Sequence, residues 1–146
     1  MRNRKRITAL CLALLAAGAM TAQNLKIYGH MTLSDSFDFP PPGIYSFQPK
    51  AGTSVTPVFE RDGWYSSGGL VCIDSKLYSV NRDDKKIEVF DTKATPWNAV
   101  SQVTFSGFNG ATDLTYDIAT QTVYGCFIEA DGTYSFGTLN LETGER

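Results

Sequence analysis

From Leu25 onward, short runs rich in β-branched and aromatic residues alternate with clusters of Gly, Asn, Asp, Ser and Pro. No stretch there keeps the apolar period of an amphipathic helix, so the pattern predicts an all-β chain of short antiparallel strands. The clearest unit has strands over Leu70–Asp74, Lys76–Asn81, Lys86–Asp91 and Val100–Phe105. Arg82-Asp83-Asp84-Lys85 and Thr95-Pro96-Trp97-Asn98 supply its polar reversals. After the Asn109-Gly110 turn signal come strands over Asp113–Asp117, Thr122–Ile128 and Thr133–Leu141. Ahead of this unit, Leu25–Leu33, Ile44–Gln48 and Ser54–Phe59 read as three more. The hairpin tip over Ser34–Pro42 contains three consecutive prolines, which have no N–H to give a ladder, so it reads as extended and exposed. The strand count expected is three, four and three.

These groups echo one another. Tyr28, Tyr78 and Tyr124 recur at offsets of 50 and 46, Phe59 and Phe105 at 46, and Leu70 and Leu114 at 44. Ile44, Phe47, Lys50 and Ala51 return as Ile87, Phe90, Lys93 and Ala94 at 43. Four such identities arise easily by chance, and the preserved order of the anchors is the stronger sign of a repeat. A period near 45 residues is that of β-propeller blades. The alternative is a non-repetitive β-sandwich.

Asp113-Leu114-Thr115-Tyr116-Asp117, Val123-Tyr124-Gly125 and Leu139-Asn140-Leu141-Glu142-Thr143-Gly144 resemble the repeats of secreted bacterial β-propellers of the quinoprotein-like and YVTN-like kind. The unit at Leu70 departs from that pattern, with Asp91-Thr92-Lys93 where a closing Thr-Gly belongs. The resemblance implies four-stranded propeller-type blades in units near 25–60, 68–106 and 111–146, about two and a half in all. It implies a scaffold and no substrate. Ten strands fall short of the four to eight four-stranded blades of a closed ring, so the expectation is an N-terminal part of a longer or truncated product, or an open stack with sheet edges free for self-association.

The N-terminus reads as a signal peptide over residues 1–22. Arg2, Arg4, Lys5 and Arg6 form a basic segment, Ile7–Ala17 an apolar one too short for a comfortable membrane span, and Ala17-Gly18-Ala19 and Ala22 offer cleavage sites. Export to the periplasm, cell surface or medium follows. Processing after Ala22 leaves nine basic against fifteen acidic side chains, moving the formal net charge from −2 to −6. With no basic cluster, nucleic acid and anionic lipid are poor partners. Cys72 and Cys126 remain. Export invites a disulfide between them, but both sit in apolar strands, and the preferred reading is two buried thiols in different units.

Candidate chemistry is sparse. Asp83-Asp84 lacks the alternating oxygen ligands and glycine turn of a calcium loop and reads as a solvated tip. Asp35 and Asp38 beside Phe37 and Phe39 read as solubilising. Ser66-Ser67-Gly68-Gly69 precedes a strand rather than a helix, so it reads as a connection that lets two backbones approach, not as a phosphate cradle. His30 is the sole histidine. No G-x-S-x-G elbow accompanies it, and it reads as a polar strand-end residue. No catalytic residue, metal site or cofactor is expected. Trp64, Tyr65 and Trp97, in turn-rich surroundings, are candidates for contact with a protein or glycan, and blade-to-blade packing is the plainer reading. Two functions are open: an exported binding or adhesion module, or the N-terminal fragment of a propeller enzyme, a quinoprotein-like oxidoreductase or glycan-active enzyme, with its active site on further blades.

Overall fold

The computed structural model describes residues 25–31, 41–61 and 67–146. The signal segment, the tip with Asp35 and Asp38, and the pair Trp64-Tyr65 lie outside them. The described residues form ten strands and no helix. They make three antiparallel sheets, none closed, of three, four and three strands. The N-terminal sheet has the order β1 (Ile27–Met31), β2 (Gly43–Phe47), β3 (Thr56–Glu60). In the central sheet β4 (Ser67–Ile73), β5 (Lys76–Asn81), β6 (Lys86–Asp91) and β7 (Ala99–Thr104) follow in sequence. The C-terminal sheet runs β8 (Gly110–Asp117), β9 (Thr122–Ile128), β10 (Tyr134–Thr138).

The described residues divide into two compact units, one of residues 25–28 and 46–56, the other of 29–31, 41–45, 57–61 and 67–146. In the smaller, the loop after β2 is tied by Thr53, whose hydroxyl donates to the Lys50 carbonyl at 2.6 Å. The larger unit carries the extended core. Its turns use one device: an Asn or Asp side chain at or just past the end of a strand accepts from backbone N–H groups of the turn that follows. Asn81 Oδ1 takes the amides of Asp83 and Asp84, each at 3.1 Å. Asp117 Oδ1 takes Ala119 at 2.9 Å, and Asn140 Oδ1 takes Glu142 and Thr143. These bonds fix the reversals independently of distant packing.

The two faces of the central sheet differ. Alternation along each strand sends Val71, Val80 and Ile87 toward the C-terminal sheet, where they pack with Leu114, Val123 and Phe127 in one apolar core. Phe105 stacks on Phe108 at 4.4 Å, and Phe108 meets Phe127 edge-on at 5.0 Å. The opposite face holds Ser79, Glu88 and Asn81, all buried, beside Leu77 and Phe90. Strand β4 lies along β8. There Gly68 approaches so closely that a Cβ would stand 1.8 Å from the Ala111 carbonyl oxygen. The close backbone approach expected of the glycine pair is realised.

Two expectations need correction. Strands β4 and β8 begin three residues earlier than the apolar runs suggest, because each carries a bulge, between Ser67 and Leu70 and between Ala111 and Asp113. Cys72 and Cys126 are unbonded and lie in different sheets, but Cys72 is exposed and Cys126 half-buried. Val71 takes the inward position, and alternation puts Cys72 on the other face, one residue from the end of β4.

Candidate binding cleft and the polar seam

The turn β4–β5, the turn β8–β9 and the closing turn after β10 come together at one end of the larger unit. Between them lies an open cleft of about 480 Å³. Tyr78 of β5 and Tyr116 of β8 line it, each half-buried, over a floor of Ile73, Val123 and Leu139. Gln121, Thr122, Thr138, Asn140 and Glu142 add amide, hydroxyl and carboxylate groups. Tyr116 and Val123 are paired across β8 and β9, so both reach the cleft from the inward face of that sheet. The position of Asn140 is set by its own turn: its amide donates to the Glu145 carbonyl at 2.7 Å and its carbonyl accepts from Gly144 at 2.8 Å. Gly144 has φ +75° and sits where a Cβ would be 2.5 Å from the Thr104 carbonyl oxygen, so glycine is required for the turn to close against the central sheet. Partial burial, then the carboxylates of Glu142 and Asp74, raise the Tyr78 pKa above its ordinary value. The phenol therefore stays a neutral hydrogen-bond donor at any ordinary pH.

A second polar constellation is internal. His30 Nε2 lies 2.8 Å from Ser67 Oγ and 3.1 Å from Ser79 Oγ, and the two hydroxyls are 2.9 Å apart. Ser67 also donates to the Val80 carbonyl at 3.1 Å. A hydroxyl carries one proton, so Ser67 cannot donate to His30 and Val80 at once. A hydroxyl beside an imidazole has the form of a nucleophile–base pair, yet Ser67 is 7% exposed and Ser79 0%. A substrate cannot reach them. Burial lowers the His30 pKa to about 4, which keeps the ring neutral inside the protein. Beside this cluster Arg61 pairs with the fully buried Glu88 and, at 3.6 Å, with Asp84. Asp84 also accepts from Asn81 at 3.0 Å. The Asp83-Asp84 tip thus serves the packing of β5 and β6 as well as meeting solvent.

Trp97 is 8% exposed and stacks on Phe90 at 6.1 Å, and Phe59 packs against the same Phe90 ring at 4.8 Å. Packing is the role its surroundings give it. Trp64 and Tyr65 lie outside the described residues. Sequence reasoning did not single out Tyr78 and Tyr116 as binding residues. Tyr78 was visible as a repeat anchor, but its neighbour across the cleft is 38 positions away, and only the contact of β5 with β8 joins them.

No protein family matches the chain, and neither the curated proteins nor the solved structures offer a match.

Proposed function

We propose that the chain is an exported recognition module without catalysis, built from propeller-type blades, and that it binds a neutral saccharide in the cleft of Tyr78 and Tyr116. The cleft carries the reading. Its two phenol rings offer flat apolar faces to sugar C–H groups, while Gln121, Thr122, Asn140 and Glu142 supply donors and acceptors around them. Glu142 and the nearby Asp74 disfavour acidic sugars. The blade reading draws support from the sequential order β4-β5-β6-β7 and from first strand β4 lying along first strand β8. Export draws support from the basic and apolar segments at the N-terminus.

A glycan array probed with purified protein tests the reading. Neutral oligosaccharides should be retained, and Tyr78→Ala should weaken their binding about tenfold, as expected for loss of one stacking face worth about 1.4 kcal/mol. An array with no retained saccharide, or retention indifferent to Tyr78→Ala and Tyr116→Ala, contradicts it.

A further inference from the structure

At the other end of β5 from the cleft, the turn into β6 meets the link that leads into β8. Two cations of that turn rest on one peptide, Asn109–Gly110. Lys85 Nζ donates to the Asn109 carbonyl and to Asn109 Oδ1, each at 3.0 Å, and stands 5.8 Å over the Phe105 ring. Its backbone is fixed as well, since the Lys85 carbonyl accepts from the Phe105 amide at 3.1 Å. Arg82 lies against Gly110, where a Cβ would stand 2.8 Å from its Cδ and 3.0 Å from its Nε. A glycine there leaves the space that the stem of Arg82 fills.

Neither cation is neutralised. Among the described residues no carboxylate bonds Arg82 or Lys85. Asp84 is engaged by Arg61 and Asn81, Glu129 by Arg146 and Ser135, and Asp131 by Thr133. An ammonium has three donors, and Asn109 takes two of those of Lys85. Arg82 Nε is buried without a partner, and its Nη groups make no bond among the described residues. A buried donor left unpaired is costly and calls for a reason. Here the packing that buries Nε also holds the Nη end of the guanidinium in one place.

We propose that Arg82 and Lys85 form a binding site for one phosphate group, with the Arg82 fork and the remaining Lys85 donor meeting oxygens of the same anion. Their shared seat on the Asn109–Gly110 peptide brings them to it together. The choice of anion follows from donor geometry. A carboxylate has two oxygens, and the planar fork of a guanidinium takes both. A phosphate has further oxygens outside that plane for an ammonium beside the fork, and its charge approaches −2, matching two cations. The chain itself is net acidic, −2 by formal count. Two cations on such a surface suit a small phosphate or phosphomonoester, whereas a nucleic acid or anionic membrane needs a broad basic face.

Titration of inorganic phosphate into labelled protein at constant ionic strength, followed by backbone and arginine side-chain resonances, tests the site. Saturable shifts should appear at Arg82 Nε, at the amides of Asp83, Asp84 and Lys85, and at those of Asn109 and Gly110. Arg82→Gln and Lys85→Gln should each raise the dissociation constant about tenfold, as expected for loss of a charge-assisted bond. Both substitutions lie outside the apolar core, and unchanged resonances along β9 report that each variant is folded. Glucose 6-phosphate is the second probe. Saturation by both probes makes the phosphate group alone sufficient, and saturation by the ester alone makes the ligand a phosphorylated molecule; either result supports the site. Shifts that never saturate with either probe overturn it, as does saturation indifferent to either substitution. Acetate bound as tightly as phosphate overturns the choice of anion. Saturation centred on Tyr78 and Tyr116 would place the phosphate in the cleft and overturn the proposal equally.

Discussion

The imidazole of His30 is set between two hydroxyls of the central sheet, in surroundings that exclude its charged form. Its pKa of about 4 lies below the ordinary 6.5. Between those values the unfolded chain binds a proton that the folded chain does not, so stability rises with pH across this window and falls as the pH is lowered through it. The total is about 3 kcal/mol, most of it gone by pH 4.5. Urea midpoints at pH 7 and 4.5 should show this drop, and His30→Gln should shrink it. Equal midpoints would show that the ring is not buried as described. Hydrogen bonds to Asp117, Asp131 and Glu129 lower those carboxyl pKa values and act in the more acid range. Little of this cluster was legible in the sequence. His30 lies 37 positions from Ser67 and 49 from Ser79, and an isolated histidine near the end of a strand carries no mark of the hydroxyls that will meet it.

Strands were far more legible. Lys76–Asn81, Lys86–Asp91 and Thr122–Ile128 have the bounds that alternation and turn residues indicate. They are rich in apolar, β-branched and aromatic residues, and the first two end in Asn81 and Asp91, whose side chains cap the turns that follow. The starts of β4 and β8 were hidden because Gly68, Gly69 and Gly110 lack the side chains from which a strand is recognised. Those glycines join the sheet where backbones crowd and the ladder bulges. The same bulges obscure which face a residue takes. Gly68→Ala therefore tests the seam between the central and C-terminal sheets. A methyl against the Ala111 carbonyl forces the strands apart and should cost about 3 kcal/mol by urea unfolding. Gly29→Ala, whose new Cβ meets no atom within 4 Å, should be near neutral. A neutral Gly68→Ala would contradict the close approach of β4 and β8.

Across the whole molecule, the expectation of three antiparallel groups with three, four and three strands agrees with the sheets found. Alternation and turn spacing are local signals, and they suffice to count strands. They do not say which loops meet, and the cleft is made entirely of such meetings: two turns and a closing hairpin from β4–β5, β8–β9 and the segment after β10. Export belongs to this scale too. Mass spectrometry of protein recovered from the periplasm or medium should find a new N-terminus at Met20 or Gln23, and intact Met1 in a membrane fraction would contradict processing. The saccharide cleft is tested most directly by amide chemical-shift mapping while a neutral oligosaccharide is titrated into labelled protein. The account predicts saturable shifts confined to Tyr78, Tyr116, Gln121–Val123 and Thr138–Glu142. Shifts on another surface, or none with any neutral saccharide, would contradict it.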